Sequence, residues 1–128
     1  MFLRALAAVL MSAMFLVPPA WSQVSPESAE KYNAGQDMFK KRRYQDALVA
    51  FEEAVKLDAK NAQACRGMAK TYQKLRNYPQ AVESFQMAVG VKPDYLEAYY
   101  ELGQLQLTTL REYEKAQSSF QSILEMDP

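Results

Sequence analysis

Apolar residues recur along this chain at intervals of three and four, with polar residues between them. Tyr44, Ala47, Phe51 and Ala54 set the phase, and Tyr78, Ala81, Phe85 and Ala88 repeat it 34 residues later. Tyr113, Ala116, Phe120 and Ile123 repeat it again, now 35 residues on. Side chains at i, i+3 and i+4 share one face of an α-helix, so each stretch predicts an amphipathic helix. A second periodic stretch precedes each, marked by Ala34-Gly35, Met68-Ala69 and Leu102-Gly103. The chain reads as three units of two helices, broken internally at Arg42-Arg43, at Arg76-Asn77 and near Leu110-Arg111.

Helix ends are marked by their own chemistry. Ser25 before Pro26 suits an N-cap with proline at the first helical position. Asn61 precedes the Ala-rich start of the second unit, and Pro79 fits a first turn, where a missing N–H costs nothing. Asp94 with Glu97 three residues on forms a capping box for the third unit. The third unit has one residue more before Tyr113, which predicts a longer turn inside the unit, with a bulge in the helix as the alternative.

Residues 1–22 have a different pattern. Arg4 supplies a positive charge, the thirteen residues Ala5–Val17 are uncharged and mostly apolar, and Pro18-Pro19 break the run. Ala20-Trp21-Ser22 fits the small-x-small rule of a secretory signal peptide, with Gln23 as the new N-terminus. A bilayer span needs about 20 apolar residues, so the run is too short for an anchor and no stable membrane span is expected after cleavage. A lipoprotein would carry Cys directly after it, and the only Cys is Cys65. The expectation is export to a periplasmic or extracellular compartment of a bacterial-type cell.

Composition narrows the chemistry. The chain is 128 residues, 49% hydrophobic and 23% charged, with no His, one Cys and a formal net charge of zero. Imidazole-based zinc sites, haem ligation and His-activated nucleophiles are excluded. No Gly-rich phosphate loop or convergent carboxylate pair is present, so neither enzyme, metal nor cofactor is expected. Zero net charge argues against the strongly basic footprint of a nucleic-acid or anionic-membrane protein. The charges are unevenly placed: residues 23–76 carry 11 Lys/Arg against 7 Asp/Glu, and residues 77–128 carry 3 against 8. The run Lys40-Lys41-Arg42-Arg43 reads as cations meeting the negative end of a helix dipole, with anionic lipid or polysaccharide contact as the alternative. Cys65, without a second Cys, reads as a small buried residue.

The repeated pattern resembles the tetratricopeptide repeat family. It is carried by Gly35, Ala47, Phe51 and Ala54 in the first unit, and by Ala69, Tyr72, Ala81, Phe85, Ala88 and Pro93 in the second. In the third it is carried by Tyr99, Leu102, Gly103, Ala116, Phe120 and Pro128. The resemblance covers residues 28–128 and implies an all-α, right-handed α-solenoid of three helix-turn-helix hairpins. Its units would be residues 28–61, 62–95 and 96–128, behind a short lead-in at 23–27. Departures are Lys31 at a usually apolar position, with Tyr32 compensating, Gln106 in place of Tyr, and Ile123 in place of Ala.

In this family the first helix of each unit lines a concave groove. That implies Tyr32, Gln36, Phe39 and Lys40 from the first unit, and Arg66, Lys70, Gln73 and Lys74 from the second. The third would supply Glu97, Tyr100, Glu101, Gln104 and Thr108. Family members that grip the acidic C-terminus of chaperones use a clamp of Lys, Asn and Arg. Here Tyr32 and Gln36 hold the first two of its positions, and Glu97 and Glu101 stand where cations would be, so that partner class is not expected. Arg66 and Lys70 would either receive an acidic segment or pair with Glu97 and Glu101. No helix follows the third unit in this sequence, which predicts an open apolar edge built from Phe120, Ile123, Leu124 and Met126. The function implied is a non-enzymatic adaptor holding a peptide or helix of a partner protein. The alternatives are an assembly subunit that homodimerises through the open edge, or the N-terminal part of a longer repeat protein.

Overall fold

The computed structural model describes residues 24–127. Among them are six α-helices and no strand: α1 (Pro26–Lys40), α2 (Tyr44–Leu57), α3 (Ala62–Lys74), α4 (Tyr78–Val91), α5 (Leu96–Gln104) and α6 (Tyr113–Met126). A π-helical turn over Leu105–Thr109 continues α5. Each helix packs on its neighbours in sequence, and α1 also touches α3. Three- and four-residue connections force neighbours to run antiparallel, so three hairpins stack into an α-solenoid. The stretch read as a signal peptide, residues 1–22, lies outside the described residues.

The first and third hairpins share one contact, an aromatic ring from the second helix seated where the first helix has no side chain. A Cβ added to Gly35 on α1 would lie 2.7 Å from the Phe51 ring, and one added to Gly67 on α3 would lie equally close. Phe51 on α2 is therefore wedged between its own hairpin and the next. Phe120 stands over Gly103 in the same way, again at 2.7 Å. Between them Phe85 is wholly buried in a cluster with Ala69, Ala81, Ala98 and Leu102. Cys65 joins this cluster, and burial pushes its thiol above the usual range.

A polar seam ties the first hairpin to the second. The Ser28 hydroxyl donates to the Ala54 carbonyl at 2.7 Å and accepts from the Asn61 amide at 2.9 Å. Asn61 Oδ1 in turn accepts the Ala64 N–H at 3.1 Å, capping α3. One repeat later Ala62 and Tyr95 occupy the equivalent places, so the second seam is apolar. Ser25 caps α1, its Oγ accepting the Ser28 N–H at 3.2 Å, and Pro79 sits in the first turn of α4. The capping box at Asp94 does not form. The cap position of α5 is Tyr95, whose side chain makes no capping hydrogen bond, because holding the Tyr95 ring in the core leaves Asp94 outside the helix.

The extra residue of the third unit is absorbed within the helix and not in the turn. All three hairpin turns have the same length: 41–43, 75–77 and 110–112. In the first two, Arg43 N–H reaches the Met38 carbonyl and Asn77 N–H reaches the Tyr72 carbonyl, each five residues back. In the third, Glu112 N–H reaches the Gln106 carbonyl, six back, and Leu110 N–H closes an i→i−5 bond to Leu105. The widened turn keeps Leu105 and Gln106 buried, with Ser119 Oγ donating to Gln106 Oε1 at 2.8 Å, while the chain re-enters the same turn geometry. Such single-residue π-turns are how a helix takes up an insertion without losing register.

Each turn passes through the left-handed region at an arginine: Arg42 (φ 60°), Arg76 (φ 59°) and Arg111 (φ 56°). Glycine adopts this conformation freely, whereas a side chain costs about 1 kcal/mol or more. Arg76→Gly is therefore expected to raise stability by about 1 kcal/mol in urea denaturation. Glycine replacements elsewhere should separate by sign. Gly90 on α4 has nothing within 4 Å of an added Cβ, so Gly90→Ala should stabilise by about 0.5 kcal/mol. Gly67→Ala should destabilise, since displacing the Phe51 ring costs about 1–3 kcal/mol against about 1 gained in helix propensity. Cys65 should resist a thiol reagent in the native protein and react stoichiometrically once the chain is unfolded in urea.

Candidate functional site

The helices α1, α3 and α5 carry equivalent positions 34 residues apart: Tyr32, Arg66 and Tyr100 in one row, Gln36, Lys70 and Gln104 in the next. In the outer hairpins the two rows are joined along the helix. Gln36 Nε2 donates to the Tyr32 hydroxyl, and Gln104 Nε2 donates to the Tyr100 hydroxyl at 3.1 Å. The middle helix puts two cations in the corresponding places. The groove is thus an aromatic–amide pair on either side of a cationic centre.

Two depressions open along it. The first, of about 260 Å³, lies between α1 and α3, walled by Tyr32, Gln36, Phe39 and Lys40 on one side and Gln63, Arg66 and Lys70 on the other. Its floor is formed by Gly67 and by the buried Phe51 ring packed directly beneath it. Tyr32 packs on Phe51 with centroids 5.8 Å apart, and the Lys70 ammonium lies 5.6 Å over the Phe39 ring. The second depression, about 490 Å³, is lined by Arg66, Leu96, Glu97, Tyr100, Glu101 and Ile123.

Arg66 belongs to both depressions and forms the saddle between them. Its guanidinium donates to both Glu101 oxygens, Nε at 2.6 Å and Nη2 at 2.7 Å, with both side chains about one-quarter exposed. This forked geometry is the strongest form of ion pair available to a side chain. The Glu101 bonds raise the Arg66 pKa further, so the guanidinium is charged at every accessible pH. The same guanidinium lies 5.8 Å from the Tyr95 ring centroid, and Lys92 covers that ring at 4.8 Å. Burial pushes the Tyr32 and Tyr95 phenols up, so both remain neutral hydrogen-bonding groups well above physiological pH.

Of the two pairings open to Arg66 and Lys70, the structure forms the one with Glu101. Lys70 Nζ is 4.0 Å from Glu101 Oε1, a marginal second contact, and Glu97 has no ion-pair partner among the described residues. Lys31 turns outward to Glu53 at 3.0 Å and leaves the groove to Tyr32. Tyr32, Gln36, Phe39, Lys40, Arg66 and Lys70 are brought together at the first depression, and Glu97, Tyr100 and Glu101 at the second. Gln73 and Lys74 lie beyond both, towards the hairpin turns. Gln104 is held by Tyr100, and Thr108 is drawn onto the π-turn, its hydroxyl donating to the Gln104 carbonyl at 2.7 Å.

Gln63, Gly67, Phe51, Leu96 and Ile123 were not singled out for the groove by their spacing. Gly67 carried the available signal: a glycine on the groove helix beside Arg66 exposes whatever lies beneath. Ile123, expected at the open edge, lines the second depression. Phe120 and Met126 are half-buried, and Leu124 is 66% exposed. With Leu107 and Tyr113 it borders a further depression on the outer face of α6.

A solenoid of helical hairpins with a lined concave face defines a repeat class whose surfaces bind other proteins. Two tetratricopeptide-repeat models match the chain, one over residues 38–102 and one over 96–128. The chain belongs to the tetratricopeptide repeat family. It is 31% identical over 99 residues to Hsp70-Hsp90 organizing protein 2 of Arabidopsis thaliana, matching 77% of this chain but 17% of that protein. This chain therefore corresponds to less than one-fifth of the length of that relative. Among solved structures, the TPR2B domain of yeast Sti1 in complex with an Hsp70 peptide superposes with TM-score 0.76 at 23% identity, covering 80% of this chain and 82% of that one. PilW, a type IV pilus biogenesis factor, superposes with TM-score 0.72 at 28% identity, covering 79% of this chain and 46% of that one.

The ion pair at the saddle sets the stability expected of its variants. Glu101→Ala strips a half-buried guanidinium of two charge-assisted bonds and should cost about 1.5–3 kcal/mol in urea denaturation. Glu97→Ala, at an exposed unpaired carboxylate, should change stability by less than about 0.5 kcal/mol.

Proposed function

We propose that this protein is an exported, non-catalytic adaptor whose concave groove holds a segment of a partner protein. The observation that carries the reading is the first depression, an aromatic-floored cavity with Lys40 and Lys70 at its rim and Arg66 already engaged by Glu101. A side chain that is aromatic or aliphatic fits the Phe51 floor, and a neighbouring carboxylate meets the two lysines. On the far side of the saddle the unpaired Glu97 favours a basic residue. The ligand is thus a segment with an apolar anchor, an acid at one end and a base at the other.

The relatives support peptide recognition in general, since the solved TPR2B domain holds an Hsp70 peptide. A chaperone-type acidic C-terminus fits this groove poorly, because Glu97 and Glu101 occupy the places where that recognition uses cations. Export is supported by the apolar run and small-x-small site of residues 1–22, and the fold is shared with a pilus biogenesis factor. A second reading, self-association through the outer face of α6, rests on the exposed Leu107, Tyr113 and Leu124. Sedimentation velocity over a range of concentrations separates the two, since an adaptor stays monomeric until its partner is added.

The decisive experiment is selection of a random peptide library on the protein, followed by titration of enriched peptides by fluorescence anisotropy. Enriched sequences should pair an aromatic or aliphatic residue with a nearby Asp or Glu. Lys40→Glu with Lys70→Glu should weaken binding at least about tenfold, the loss of two charge-assisted contacts. Enrichment without acidic residues, or affinity untouched by that double change, would remove the basis for the reading. Export has its own readout: the N-terminal residue of protein recovered from expressing cells should be Gln23.

A further inference from the structure

Antiparallel hairpins place all their turns at one end of the helices, and here that end is cationic. The turn segments carry Lys40 to Arg43 in the first hairpin, Lys74 and Arg76 in the second and Arg111 in the third, with Glu112 as their one carboxylate. Asp37 and Asp46 tie up Lys41 and Arg43. Lys40, Arg42, Lys74, Arg76 and Arg111 are exposed and have no ion-pair partner among the described residues. The connections at the opposite end mix signs, with Asp58 and Lys60 in one and Lys92 and Asp94 in the other. The zero net charge of the chain conceals a molecule polarised along its helices.

Helix dipoles account for Lys40 and Lys74, which sit in the last turns of α1 and α3. They do not account for Arg42, Arg76 and Arg111. Those three occupy the left-handed position of each turn, where glycine would remove the strain, and the same side chain stands there in all three repeats. Strain borne at equivalent surface positions points to a use for the side chain. The left-handed position recurs once per hairpin, so the arginines lie in order along one edge of the stack. Tyr113, 62% exposed, follows the third turn, and exposed Leu107 precedes it, adding an amphipathic ring and an apolar side chain. Cations flanked by such groups suit an interface between water and lipid headgroups.

We propose that the hairpin-turn edge docks this protein on an anionic phospholipid surface, through the unpaired cations of the three turns. The contact is peripheral, as no helix among the described residues is long and apolar enough to cross a membrane. Apart from Lys40, which also lines the first depression, the edge shares no cation with the concave groove, and the arginines stand independently of what that groove binds.

The test is co-sedimentation of the purified protein with phosphatidylcholine vesicles, with and without about one-third phosphatidylglycerol, at low and high salt. Wild type should partition onto the anionic vesicles alone and be released by salt. Arg42→Gly, Arg76→Gly and Arg111→Gly together should lower partitioning about a hundredfold, since each basic residue near such a surface contributes about fivefold. The triple variant should melt at or above the wild-type temperature, which separates lost docking from lost folding. Lys56→Gln, Lys60→Gln and Lys92→Gln remove the same charge from the opposite end and should retain most of the binding. Equal losses in the two triple variants would reduce the effect to net charge and overturn the proposal. So would equal binding to neutral vesicles, or capture of soluble polyglutamate through the arginines without vesicle binding, which would assign the edge to an acidic protein.

Discussion

The first and third hairpins of this solenoid depend on a ring meeting a missing side chain. Phe51 occupies space that a methyl group at Gly35 or Gly67 would fill, and that coincidence joins one hairpin to the next. The close approach of α1, α2 and α3 also decides what the groove contains. Because Gly67 has no side chain, the buried Phe51 ring lies directly beneath the floor of a surface depression. Packing and recognition are here the same contact seen from two sides.

The groove is asymmetric because the repeats differ where their architecture leaves them free. Most buried positions are held to Ala or Phe by the space available, but the rows facing the groove carry Tyr, Arg, Tyr and Gln, Lys, Gln. The forked Arg66–Glu101 pair then divides the concave face, consuming one cation and leaving Lys40 and Lys70 at one side and Glu97 at the other. A buried polar network of comparable quality, Ser28–Ala54–Asn61, holds the first two hairpins together at the other end of the helices. Its apolar counterpart at Tyr95 shows that the seam tolerates either chemistry provided every polar group is satisfied.

The same freedom explains the turns. Their length is constant, and their strained arginines recur, even though the third hairpin carries an additional residue. The insertion is taken up by the π-turn that continues α5, and the hairpin turn keeps its length.

The sequence by itself determined the helical period, the three-unit repeat, the caps at Ser25 and Asn61 and the burial of Phe51 and Phe85. These follow from residues within a few positions of one another, and local periodicity reports local geometry. Most of the first depression was also legible, because Tyr32, Gln36, Phe39 and Lys40 share one helical face. Only the tertiary structure decided which carboxylate Arg66 would take, since Glu97 and Glu101 are one turn apart and their distances depend on the crossing of α3 and α5. It likewise moved Ile123 from the edge into the groove and made Tyr95, not Asp94, the cap of α5. Net charge, a sum over the chain, carried no information about direction. The cationic edge exists because antiparallel packing brings three separated turns to one end.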